Sequence, residues 1–271
     1  MHTESHNGDA FSPREIARRV EGAGVAKAQE NTMTLLVLAV LAGAFISLGA
    51  IFYIVVVTQS GLGVGVTRLL GGVCFALGLI LVVVAGAELF TGNNLLAMAW
   101  ASGLISFRDV MRNWIIVYFG NVLGCLGTLF FVLWADIPSL GGGEIESTAV
   151  KIAAGKVTLT TGQAFARGVL CNTLVCLAIW LAMGCRSVTD KIIAILFPIA
   201  AFVTLGLEHS IANWFFLPMG MALDHEGIIS TSGCIQNLLV VSLGNIVGGS
   251  LMVAGVYWFA YLRTAGSDKA D

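Results

Sequence analysis

Glu88, Glu208 and His209 stand inside long apolar runs, and each side chain can carry charge. A carboxylate at mid-bilayer costs roughly 2.5–3.5 kcal/mol on insertion scales, so such residues are functional candidates by default. Their spacing adds to this. Gly86-Ala-Glu88-Leu-Phe90-Thr91-Gly-Asn93-Asn94 and Gly206-Leu-Glu208-His209-Ser-Ile-Ala-Asn213 share the pattern Gly-x-Glu-x-x-x-x-Asn. Two copies at matching places in two halves of one chain point to a pathway through a membrane. Imidazole is the side chain whose unperturbed pKa lies nearest physiological pH, which makes His209 the most informative of the three. Thr91 offers a hydroxyl that can donate to an anion or to the imidazole. Asn172 is polar in mid-span and can complete a Thr–Asn–His cluster. Structural roles compete: Glu88 and Glu208 can bond the free N–H groups of a broken backbone, and Asn121 and Asn245 sit among small residues that favour close helix packing.

These residues need elements that hold them at membrane depth. The chain has 271 residues, 57% apolar and only 11% charged, where a soluble domain carries about 25% charge. Apolar runs of about 20 residues fit spanning helices rather than barrel strands. Six spans are predicted: 33–57, 69–101, 110–134, 160–184, 191–222 and 229–262. The second and fifth are long and interrupted at the two motifs, so each is expected as two half-helices joined by a non-helical break. Such backbone survives at depth only where protein buries it or where it lines an aqueous cavity. Half-helix N-termini aimed at the break favour anions.

The halves repeat. The Glu motifs match at an offset of 120; Gly120-Asn121-x-x-Gly124 matches Gly244-Asn245-x-x-Gly248 at 124; Gly43 and Gly168 extend the match to spans one and four. Three spans per half is odd, so the halves must insert with opposite orientation, the inverted-repeat plan of channels and secondary transporters. The expected organisation is a cytoplasmic N-terminal segment (1–32), a first membrane repeat (33–134), an external linker loop (135–159), a second repeat (160–262) and a cytoplasmic tail (263–271). Ten of the 14 basic residues fall on the side of the termini, while Arg68, Lys151, Lys156 and Arg167 fall opposite, so the positive-inside rule puts both termini in the cytoplasm. Ser12-Pro13-Arg14-Glu15 is a helix start, with Ser as cap, Pro at the first position and Glu two further on. The helix it opens, to about Ala23, is expected to lie on the cytoplasmic surface. The first 30 residues lack the apolar core of a secretory signal. Six cysteines without C-x-x-C spacing read as small buried hydrophobes. No basic block suggests nucleic acid, and no nucleotide, metal or nucleophile motif appears. A membrane redox subunit is an alternative class, but bis-histidine haem ligation needs several intramembrane histidines, and His2, His6 and His225 lie in tails or loops.

The two Glu motifs, together with Arg167-Gly-Val-Leu-Cys-Asn172-Thr-Leu-Val-Cys-Leu-Ala-Ile-Trp180 and Tyr118-Phe-Gly-Asn121-x-x-Gly, resemble the signatures of the formate/nitrite transporter family. The resemblance runs from about Val20 to Arg263. It implies an all-α, aquaporin-like protomer in an inner-membrane homopentamer, with no cofactor and no enzymatic activity. It implies passage of formate, or else nitrite or hydrosulfide, with a protonation relay at His209. It assigns His209, Thr91, Asn172, Glu208 and Lys156 to the substrate pathway, Lys156 as a vestibule lysine that attracts anions. Phe75, Leu79, Phe90, Val175 and Phe202 are assigned to apolar constrictions, and Glu88, Asn93 and Asn213 to the loop structure.

Overall fold

The computed structural model describes residues 10–263, all helical or connecting. The N-terminal nine residues and the tail from 264 lie outside the described residues, so most of the predicted tail segment does too. The chain runs α1 (Pro13–Gln29), α2 (Thr32–Val57), α3 (Val64–Leu81), a π turn (Val82–Gly86), α4 (Phe90–Asn93), α5 (Leu96–Ala101) and α6 (Phe107–Trp134). It continues through a 3-10 turn (Ile137–Ser139) into α7 (Glu144–Val157), α8 (Thr161–Gly184), α9 (Val188–Thr204) and α10 (Ser210–Leu223). It ends with α11 (Thr231–Val247), a second π turn (Gly248–Gly255) and α12 (Val256–Tyr261).

Among the described residues, five helices are long and apolar enough to cross a bilayer: Thr32–Val57, Val64–Gly86, Phe107–Trp134, Thr161–Gly184 and Thr231–Tyr261. The predicted span 191–222 holds two helices, α9 and α10. The predicted span 69–101 starts five residues earlier, at Val64. α6 packs along α2, α11 along α8, and α3 against α9 at the centre. The first two pairs approach closely because of glycine. A Cβ on Gly124 would strike the Val40 carbonyl, and one on Gly248 the Val169 carbonyl. These contacts correct the register expected for spans one and four. Val40 answers to Val169, an offset of 129, so Gly43 answers to Asn172 and not to Gly168.

Two expectations for the polar segments change. Residues 135–159 are not a loop: α7 carries Ile145, Ala149 and Ala153 on one buried stripe and packs against α10. The N-terminal helix runs on to Gln29 and is docked on protein, burying Ile16, Ala17, Val20, Gly24 and Ala28. Its predicted capping box is present, with Glu15 accepting from the Ser12 amide at 2.8 Å. A hydrogen bond from the Ser12 hydroxyl, together with this one from its amide, holds the Glu15 carboxyl below its usual range. At its other end Arg112 donates to Ala28 O, Glu30 O and Thr32 Oγ1.

Candidate functional site

In the first half, α3 loosens into its π turn and stops at Gly86. The residue's φ of 84° lies in the left-handed region, which glycine adopts without steric penalty. Ala87–Leu89 are extended and leave backbone groups without helical partners. Asn121 of α6 satisfies them. Its Oδ1 accepts from the Phe90 amide at 2.9 Å, and its Nδ2 donates to Glu88 O at 2.9 Å and Ala39 O at 2.7 Å. The Glu88 carboxylate is held by Lys27 Nζ of α1 at 2.7 Å and Asn93 Nδ2 at 2.7 Å.

The second half builds the same arrangement from its own residues. α9 ends at Thr204, Gly206 has φ 68°, and α10 begins at Ser210. Asn245 of α11 accepts from the Ser210 amide at 2.8 Å and donates to Glu208 O at 3.0 Å and Gly168 O at 2.8 Å. Glu208 takes Lys156 Nζ of α7 at 3.0 Å and Asn213 Nδ2 at 2.7 Å. A further layer also matches. Asn113 receives Asn93 and donates to Lys27 O; Asn237 receives Asn213 and donates to Lys156 O. The carboxylates therefore do not bond the broken backbone, which is the work of Asn121 and Asn245. The ionisable set at this depth gains two lysines, Lys27 and Lys156. Lys156 is not a bare charge, since Glu208 neutralises it.

The two breaks meet at one contact, Thr91 Oγ1 to His209 Nε2, 3.0 Å and buried. The tautomer follows from the other ring nitrogen. His209 Nδ1 accepts from the Ala212 amide at 3.1 Å as the cap of α10, so it carries no hydrogen. The ring is then neutral, and its N–H sits on Nε2, directed at the threonine hydroxyl. Asn172 makes no hydrogen bond to the imidazole. Its Nδ2 donates to the Thr91 carbonyl at 3.1 Å, to Asn94 Oδ1 at 2.7 Å and to Asn245 O at 2.7 Å. It thus fixes the loop that carries Thr91.

Two cavities flank this contact. One, about 330 Å3, is lined by Lys27, Glu88, Leu89, Asn93 and the underside of α1. The other, about 350 Å3, is lined by Lys156, Glu208, His209, Asn213, Phe75 and Phe202. The Phe202 ring lies nearly parallel to the imidazole at 6.0 Å and meets Phe75 edge-on at 5.5 Å. Leu79 and Val175 are buried but line neither cavity. Nor does Phe90, whose ring packs edge-on against Trp114 and Tyr118 of α6. Leu89 takes its place at the cavity wall. The offset of 120 that aligns the motifs pairs Leu89 with His209, a signal present in the sequence but hidden by leucine's ordinariness in an apolar span. Lys27, Asn113 and Asn237 also escape a sequence reading, because their partners lie 20 to 61 residues away. Among the described residues no group of three or more His, Cys, Asp or Glu converges as a metal site, and the six cysteines are unpaired.

Apolar spanning helices around a polar contact between two cavities define a membrane channel or transporter. The formate/nitrite transporter family model matches residues 14–259, and the chain belongs to that family. The formate channel FocA of Escherichia coli (strain K12) is 37% identical to it over 273 residues, covering 94% of this chain and 96% of the relative. A probable formate transporter of Methanothermobacter thermautotrophicus is 39% identical, covering 94% and 99%. A solved pentameric formate channel with formate bound is 40% identical and superposes with a TM-score of 0.80 over 86% of this chain and 98% of its own. An FNT family ion channel is 30% identical, with a TM-score of 0.83, covering 91% and 98%.

Proposed function

We propose that this protein is an inner-membrane channel for formate, built as two inverted repeats with broken second and fifth spans. Each repeat begins at a docked polar helix: α1 in one, α7 in the other. The reading that both termini are cytoplasmic puts the Lys27 cavity inside and the Lys156 cavity outside. The bound formate and pentameric state of the similar solved structure support the same substrate and assembly here. The observation that carries the reading is the Thr91–His209 contact between two cavities, each holding a Lys–Glu–Asn cluster.

A bare anion crossing Phe75, Phe202 and the apolar zone beyond would lose hydration without compensation, a loss of several kcal/mol. A neutral weak acid would not. His209 supplies the proton-exchanging group at that point. Its Nε2–H can leave only if Nδ1 gains a proton, and Nδ1 is occupied by the Ala212 amide. A relay therefore opens the α10 cap in every cycle. The second reading, in which a neutral His209 only donates a hydrogen bond to the passing molecule, leaves that cap closed, which is the one observation on its side. His209→Asn separates the two, since an amide donates a hydrogen bond but relays no proton. Formate uptake by proteoliposomes at neutral pH should fall at least tenfold (about 1.4 kcal/mol of barrier) in this variant if the relay operates. Wild-type flux through an intact pentamer of the variant would rule the relay out. No formate flux in the wild type would sink the channel assignment itself.

A further inference from the structure

The two cavities match in their Lys–Glu–Asn clusters but not in charge. Arg68, Lys151, Lys156 and Arg167, the four basic residues that the sequence puts opposite the termini, all line the His209 cavity. They converge there from three helices, α3, α7 and α8. Glu208 is the one carboxylate in that lining, and it is taken by Lys156. Three positive charges are left over. The Leu89 cavity has Lys27 and Glu88, paired, with none left over.

Membrane proteins place basic residues preferentially on the cytoplasmic side. Three uncompensated cations at one opening on the other side therefore need a cause. Helix capping accounts for part of it. Arg68 Nη1 donates to Thr204 O and Arg167 Nη1 to Gly206 O, both at 3.3 Å, where the end of α9 leaves carbonyls free. Each guanidinium has five N–H donors, so most of its donor capacity stays open to the cavity. Capping does not account for Lys151. It is exposed, lines the cavity, and makes no hydrogen bond or ion pair among the described residues.

We propose that Arg68, Lys151 and Arg167 form a capture rim that concentrates small anions at the His209 mouth alone, so that the channel loads more readily from that side. This rests on the anion-channel reading above. Charges of one sign lining a low-dielectric opening raise local anion concentration and entry rate by about 10- to 1000-fold in strong cases, and the effect falls steeply with salt. A rim this open to water belongs at the low end.

The test is formate uptake into right-side-out and inverted vesicles at about 0.01 M and about 0.15 M ionic strength, where the screening length is about 30 Å and about 8 Å. Expected is a KM about three- to tenfold lower from the His209 side at low salt, with the difference shrinking at high salt. Arg68→Gln with Lys151→Gln should remove most of the KM difference, the kcat values from the two sides converging with it because kcat/KM of a passive pore is equal in both directions. Arg68→Lys with Lys151→Arg should keep it. Equal KM from both sides in the wild type, or an asymmetry that survives the glutamine pair, overturns the rim. A stability loss in Arg68→Gln with unchanged KM overturns its part and leaves it a helix cap. A second measurement does not depend on transport. Thr148 lines the same cavity, and in a Thr148→Cys variant an anionic methanethiosulfonate should react faster than a cationic one. That preference should be lost with salt and with the glutamine pair. Equal rates for both reagents refute the rim, whereas failed formate flux with a preserved preference refutes only the substrate.

Discussion

At the scale of single residues, Asn121 and Asn245 hold the site together. Each closes one break with one accepted and two donated bonds, and both are fully buried. Leaving a buried donor or acceptor unmade costs about 1–3 kcal/mol. Asn121→Ala and Asn245→Ala should each lower the unfolding midpoint by several degrees and, by freeing Phe90 or Ser210, loosen the Thr91–His209 contact. Thermal unfolding in detergent measures the first effect. A midpoint unchanged in both variants would mean that water replaces the asparagines. The ion pairs differ in depth: the Lys156 and Glu208 side chains are 13% and 4% exposed, Lys27 and Glu88 30% and 13%. Removing one partner of a buried pair costs about 3–5 kcal/mol, and removing both costs less. Lys156→Met should therefore destabilise more than Lys27→Met, and adding Glu208→Gln should recover part of the loss. The deep carboxylates, Thr91 and His209 were legible in the sequence because polar residues in apolar spans announce themselves. Lys27 was not, since next to Arg18 and Arg19 it looks like one more surface charge, and only the fold brings Glu88 to it.

Helices were legible in proportion to their apolar length. The long spans are apolar through their length and fixed their own ends to within a few residues. α7 was missed because Gly141-Gly142-Gly143 and its polar face suggested a loop, although Ile145, Ala149 and Ala153 recur every four residues. The consequence is more than one helix gained. α7 carries Lys156 to Glu208 as α1 carries Lys27 to Glu88, so the proposed repeat takes in both segments that the sequence set outside it. The matching extends to their ends: Arg112 donates to Thr32 Oγ1, and Gln236 donates to Thr161 Oγ1 at 2.8 Å. The docking of α1 also predicts a pH effect at its start. The folded Glu15 carboxyl titrates below its value in the unfolded chain, the hydrogen bonds from Ser12 being the main cause. Its contribution to the helix start is therefore complete above the usual carboxylate range and is lost as pH falls through the lowered value. Amide exchange of residues 14–17 should accelerate, relative to the rest of α1, as pH drops below about 4.5, the ordinary glutamate value. In Glu15→Gln that relative change should be absent. If wild type and variant respond identically, the capping box contributes nothing that titrates.

For the whole molecule, the two halves agree in backbone, asparagines and ion pairs, and differ in what faces the apolar middle. One offers Leu89, the other His209. A pore with a titratable group at one face of its barrier and a leucine at the other suits a substrate that changes protonation once on the way through. The charged route is disfavoured beside the barrier itself, because Lys27 and Lys156, the lysines next to the two breaks, are already neutralised by Glu88 and Glu208. Permeation should therefore be electroneutral, one proton moving with each formate. In proteoliposomes loaded with a pH-sensitive dye, an inward formate gradient should acidify the lumen at a rate matching formate uptake. A potassium diffusion potential of either sign should leave the rate unchanged. Uptake should rise as external pH falls from 7 to 5, following the supply of protons rather than of formate anion. Flux that follows the potential and leaves the lumen pH unchanged would establish a pore for the bare anion. His209 would then be a hydrogen-bond donor on its wall, and the apolar zone would have to hydrate during conduction.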